Sequence, residues 1–235
     1  MRTPDAQELL DRLRATANPA NVVGMARYGI ASEGTLGVQI PVLRGIAKEL
    51  KPLRKEDPEA PHALAAGLWA SGVHEARMLA VFIDIPTLVT REQAEAWVLD
   101  IGSWDICDQL MGLFAATPFA YVLAEEWAGR SEEFVKRAGF VLMCALTVHD
   151  KKMADGSFLH FLELVEREAS DERNFVKKSV NWALRQVGKR SATLHAPAVA
   201  VAARLRQSES RAARWVGSDA FRELESEAVH RRLGI

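Results

Sequence analysis

The segment from Ala138 to Val148 reads Ala-Gly-Phe-Val-Leu-Met-Cys-Ala-Leu-Thr-Val and is apolar on every side. A helix of that kind belongs inside a stack of other helices, so the rest of the chain has to surround it. Almost every other segment also reads as helix. Thr3-Pro4 offers N-cap and N1 chemistry for a first helix to about residue 17. A second spans about 19–28. After the loop Ser32-Glu33-Gly34-Thr35-Leu36-Gly37, Ile40-Pro41 opens a third to about residue 51. Further helices are expected at about 59–70, 74–84, 90–101, 104–115, 118–128, 132–148, 156–169, 172–189, 192–207 and 218–232, with a short turn near 209–215. Ser71-Gly72, Thr90, Ser103, Thr117-Pro118, Ser131 and Ser191 punctuate them as caps and stops. No run of alternating β-branched residues suggests a strand.

Connections are short, and no Pro/Gly/Ser-rich linker interrupts the pattern. Helix–turn–helix units of about 30–45 residues predict an all-α fold, an α-solenoid superhelix of HEAT-like antiparallel helix pairs with divergent repeats. At 235 residues the array fits one domain over 1–235 with a sizeable core. Arg137 stands at the entrance of the apolar segment, where a charge needs a partner or a groove.

The composition narrows the function classes. Hydrophobic residues make up 49% and charged residues 26%, ordinary values for a globular protein in water. No apolar run reaches membrane-spanning length, and the N-terminus lacks an apolar secretory core. Cys107 and Cys144 fall in apolar helical patterns and read as small buried residues of a reducing cytosol. A cytoplasmic monomer without membrane contact is the expectation. The six histidines are scattered, no Cys/His spacing resembles a zinc site, and no metal is expected. His149-Asp150 reads as a helix-end cap.

The net charge of −1 hides an asymmetry. Residues 1–117 carry 11 basic and 15 acidic side chains, and residues 118–235 carry 19 and 16. Between Arg173 and Arg214 ten basic residues face Glu209 alone, +9 over 42 residues. A concentrated basic segment points to a polyanion; a solvated surface would intersperse more acids.

Two helical wheels carry the chemistry. From Trp104 to Ala115, Ile106, Leu110, Leu113 and Phe114 form one stripe, while Asp105, Asp108, Gln109 and Gly112 fill the opposite side. Trp104 points away from the centre of the stripe and stacks with Asp108, four residues on. Either Trp104 covers a neighbouring helix and Asp105 is a helix-start residue, or an aromatic and a carboxylate are offered to one visitor. From Phe175 to Arg190, Val176, Val180, Ala183, Leu184 and Val187 form the core stripe. Lys178, Trp182, Arg185 and Lys189 form a second stripe, with Trp182 turned roughly 145° from the first. Lysine and arginine neutralise phosphates and an exposed aromatic stacks on a base or sugar. The alternative is a tryptophan packed under snorkelling cationic stems.

The order of these elements resembles the AlkD-like DNA alkylation repair glycosylases. The resemblance rests on Trp104-Asp105-x-x-Asp108, on Lys136-Arg137 opening an apolar helix, and on Phe175-Val176-Lys177-Lys178-x-x-x-Trp182-Ala183-Leu184-Arg185. Tyr28 followed by Gly37-Val38-Gln39-Ile40-Pro41 is similar to the family's N-terminal region. The resemblance implies a concave DNA-binding face and excision of cationic N3- or N7-alkylated purines from duplex DNA, without metal or organic cofactor. It implies Trp104, Asp108 and Arg137 as the catalytic set and Trp182 as a second cleft tryptophan. Tyr28 would lie near the lesion, and Lys178, Arg185, Lys189 and Arg190 would attract the backbone. The rival expectation is a non-catalytic HEAT-like nucleic-acid-binding protein or protein-interaction scaffold.

Overall fold

The computed structural model describes residues 3–235, which are helical with no strand among them. Two compact units divide the chain, one ending at Thr117 and the other running from Pro118 to Ile235. The first contains α1 (Ala6–Ala15), α2 (Pro19–Ala26), α3 (Ile40–Leu50), α4 (Leu53–Glu56), α5 (Glu59–Ala70), α6 (His74–Ile83), α7 (Arg91–Leu99) and α8 (Trp104–Phe114). The second contains α9 (Ala120–Ala128), α10 (Glu133–His149), α11 (Leu159–Glu168), α12 (Asn174–Gly188), α13 (Ala192–Arg206), α14 (Arg211–Leu224) and α15 (Glu227–Leu233). Among the described residues no helix is long and apolar enough to cross a membrane.

The all-round apolar segment lies inside α10, which packs between α9 and α12. Phe140, Leu142 and Met143 are fully buried there, and a large apolar side chain removed from water stabilises the fold by about 1.5–3 kcal/mol. The approach to α9 is closest at Gly139. A Cβ on that residue would come within 2.4 Å of the Ala128 nitrogen and 2.9 Å of the Ala124 oxygen. Both are backbone atoms, so one helix would have to retreat. Gly139→Ala is therefore expected to destabilise the protein by about 1–3 kcal/mol, read as a lowered urea midpoint with an unchanged slope.

Repeat geometry shows in the polar links of the second unit. Arg137 to Phe175, Asn181 to Asp219, Arg185 to Glu223 and Arg204 to Glu166 each join residues 38 apart. One helix of a pair thus meets its equivalent in the next pair, which places α10, α12 and α14 in one layer and α11 beside α13.

Several expected boundaries are corrected. The first helix is capped by Asp5, not Thr3: Asp5 accepts from the Glu8 N–H while Glu8 accepts from the Asp5 N–H, a reciprocal capping box. Ser103 holds the cap position of α8 without a side-chain cap bond. The turn expected near 209–215 and the helix expected at 218–232 become α14 and α15, because Ser210 and Ser226 each cap a helix start through their hydroxyls. The short α4 follows Pro52 and was not anticipated.

Candidate functional site

In the first unit, α2, α3, α6 and α8 border a cavity of about 770 Å³. Its wall includes Met25, Tyr28, Ile40, Pro41, Met78, Trp104 and Asp108. Tyr28, Trp104 and Asp108, chosen on different grounds in the sequence, therefore meet in one place. Trp104 is half-buried, and its indole N–H donates to the Tyr28 carbonyl at 2.9 Å. That bond explains why Trp104 stands off the apolar stripe of α8. Ile106, Leu110, Leu113 and Phe114 fill the core, while Trp104 reaches the turn that follows α2. Tyr28 itself is 70% exposed, an accessible ring at the cavity wall.

The floor was not foreseen. Glu75, only 1% exposed, accepts three backbone N–H groups: Leu36 at 2.8 Å, Gly37 at 2.6 Å and Val38 at 3.2 Å. A buried carboxylate survives only when its oxygens are paired, and here the 36–38 loop supplies the donors. Gly37 has a positive φ of 76°, and a Cβ there would fall 2.2 Å from the Asn18 oxygen. The loop can follow this path only with glycine. The available signal was a glutamate in the first turn of α6, downstream of a loop with two glycines.

Asp105 does more than start a helix. It lies on the same cavity wall and its Oδ2 is 2.9 Å from Nε2 of His74. Burial raises the pKa of this carboxyl, but the hydrogen bond and charge of His74 outweigh it and hold the group below its ordinary value. A depressed folded-state pKa gives stability that is present above the unfolded value, about 3.9, and is lost as pH falls through the folded one. The stability difference between wild type and Asp105→Asn, from urea titrations, should therefore shrink progressively as pH falls below about 5.

The second unit holds Arg137 and Trp182. Arg137 is 5% exposed and donates through Nη1 to the Phe175 carbonyl at 2.9 Å; its partner is the head of α12. Trp182 is half-buried, while Val176, Val180, Ala183, Leu184 and Val187 are wholly buried as the wheel requires. The basic stripe beside Trp182 is largely compensated. Arg185 and Lys189 both pair with Glu223. Arg190, expected near the DNA backbone, is held within the unit. It donates to Asp155, to the Thr147 carbonyl at 2.7 Å and to the Met153 carbonyl at 2.8 Å, and it lies over the Phe158 ring. Arg204 pairs with Glu166 and Arg173 with Asp171. Lys178 is exposed, and no acid pairs with it among the described residues.

A family model for "DNA alkylation repair enzyme" matches residues 9–224. The chain belongs to the DNA alkylation repair enzyme family. A solved structure described as "A new family of proteins related to the HEAT-like repeat DNA glycosylases with affinity for branched DNA structures" is 18% identical, with a TM-score of 0.76 over 99% of this chain and 97% of that one. At that identity the likeness shows the fold, which is HEAT-like and all-helical. No curated protein matches in sequence.

For a member of the DNA alkylation repair family, the aromatic missed in the sequence is Trp215. It is 39% exposed, with Lys177 Nζ 5.1 Å from the ring centroid. Arg211, one helical turn earlier, lines the same shallow cleft of about 330 Å³. Reading 209–215 as a turn hid this pair; on α14 they share a face.

Proposed function

We propose that this DNA alkylation repair family member hydrolyses the N-glycosidic bond of cationic N3- or N7-alkylated purines in DNA. The observation that carries the reading is the meeting of Tyr28, Trp104 and Asp108 on one cavity wall. An alkylated purine is a cation, so its glycosidic bond is weakened and the base departs neutral. Positive charge then develops on the sugar. A carboxylate at Asp108 opposes that charge and orients the attacking water, as glycosidase carboxylates do. The Tyr28 and Trp104 rings hold the cationic nucleoside, an interaction worth about 0.5–2 kcal/mol. Lys178 and the Lys177–Arg211–Trp215 cleft supply contacts to backbone and base face, without sequence readout. Arg185 and Lys189, already paired with Glu223, contribute less.

The test is release of 7-methylguanine and 3-methyladenine from methylated duplex DNA, quantified by chromatography under single-turnover conditions. Free base accumulating with enzyme concentration supports the reading. No release at excess enzyme, with the protein folded and bound to the DNA, removes it for those lesions.

A second reading is favoured by the buried Arg137, whose Nη1 serves the Phe175 carbonyl. In this reading the protein binds DNA without base release, in keeping with the affinity for branched DNA ascribed to its structural relative. It predicts tighter binding of a four-way junction than of a linear duplex and no effect of Asp108→Asn.

A further inference from the structure

Two of the histidines that look scattered along the chain meet in space. His195 lies on α13, His230 on α15, and Glu225 ends α14. One ligand atom from each lies within 4.8 Å of the others. His195 Nε2 and His230 Nε2 are each 3.7 Å from Glu225 Oε1. Ligands on a tetrahedral zinc ion, with bonds of about 2.0–2.1 Å, sit about 3.3–3.5 Å apart, so modest side-chain adjustment closes the site.

A second observation concerns the ring of His195. It is buried, and its Nδ1 is 3.2 Å from the Gly188 carbonyl. A carbonyl only accepts, so Nδ1 donates there and Nε2 is the ring nitrogen left to face Glu225. Metal-binding histidines are usually oriented through such a bond from the other ring nitrogen. The two imidazole rings meet edge to face with centroids 5.4 Å apart.

We infer that His195, Glu225 and His230 form a binding site for a divalent cation of the zinc type. Two imidazoles and one carboxylate suit Zn²⁺, with a fourth position left to water. The ion would act as a clip. α15 buries a single side chain, Val229, so its own packing holds it weakly. A metal bridge from α13 to α15 fixes that helix and stabilises the second unit by mass action. It is independent of the cavity in the first unit and of the proposed excision activity.

The experiment uses the full chain without a histidine tag, stripped with a chelator and titrated with ZnCl₂ by calorimetry, with MgCl₂ as control. One equivalent of zinc should bind with a micromolar or tighter Kd and raise Tm by about 5 °C at a hundredfold excess over Kd. Magnesium should do neither. Hydrogen exchange in residues 227–233 should slow when zinc is bound. His230→Ala and Glu225→Gln alter exposed or half-exposed side chains, so the metal-free proteins should melt close to wild type while zinc affinity falls at least tenfold. No zinc binding, or wild-type affinity in either variant, overturns the inference.

Discussion

Asp108→Asn is expected to slow release of 7-methylguanine by about 10²–10³-fold, the range found when one preorganised electrostatic contact to a developing charge is removed. Affinity for methylated duplex should stay within about threefold, because phosphate contacts from basic side chains dominate binding. The substitution keeps shape and removes charge. The carboxylate lines a cavity whose wall includes the apolar side chains of Met25, Ile40, Met78 and Trp104, where a lowered local dielectric would strengthen its attraction for a cationic sugar. Asp105→Asn is the matched control. Asp105 lines the same cavity from the first turn of α8, so Asp105→Asn measures what losing a neighbouring carboxylate costs, and release should fall much less than with Asp108→Asn. Single-turnover rates with both variants decide the assignment. Equal losses would move the chemistry from Asp108 to the shared wall, and no loss in either would leave the DNA-binding reading.

The features legible in the sequence were those set by neighbours within one helix. The core stripe of α12, from Val176 to Val187, follows from periodicity alone, because burial of one face fixes which residues turn inward. The same holds for Ile106, Leu110, Leu113 and Phe114 on α8, and hence for the outward placement of Trp104 and Asp108. Charge was less legible. The window from 173 to 214 counts its acids along the chain, whereas the structure supplies Asp155, Glu166, Asp171 and Glu223 from outside it. Two of those pairings span 38 residues, one repeat. A linear window counts only the acids between its own ends, and the partners of these cations lie beyond them on neighbouring helices and turns. Similar reasons hid His74, Glu75 and Trp215. Each acquires its role from a partner on another element, and the relevant local signals, two serine caps and a glycine loop, fixed backbone direction without naming that partner. The histidine cluster was hidden in the same way, since His195 and His230 are 35 positions apart.

The largest loss of stability is expected from Glu75→Ala, about 3–5 kcal/mol, because it strands three amide donors at once. An unsatisfied buried donor costs about 1–3 kcal/mol. Gly37 and Val38 are buried and Leu36 partly so, which brings the sum to the upper range of single substitutions. Glu75→Gln separates charge from geometry. Oε1 accepts from Gly37 and Val38, and Oε2 accepts from Leu36. An amide can keep its oxygen on the first pair, but its NH₂ then faces the Leu36 N–H, donor against donor. Glutamine should therefore cost less than alanine but still well above 1 kcal/mol, measured by urea denaturation at neutral pH. The loop that Glu75 holds continues into Gln39, Ile40 and Pro41, all of which line the cavity with Trp104 and Asp108. Base release by Glu75→Gln should consequently fall even under conditions where the protein remains folded. An alanine variant that lost less than about 1 kcal/mol would mean that water replaces the carboxylate as acceptor, and the loop would then owe its path to Gly37 and the packing of Val38 alone.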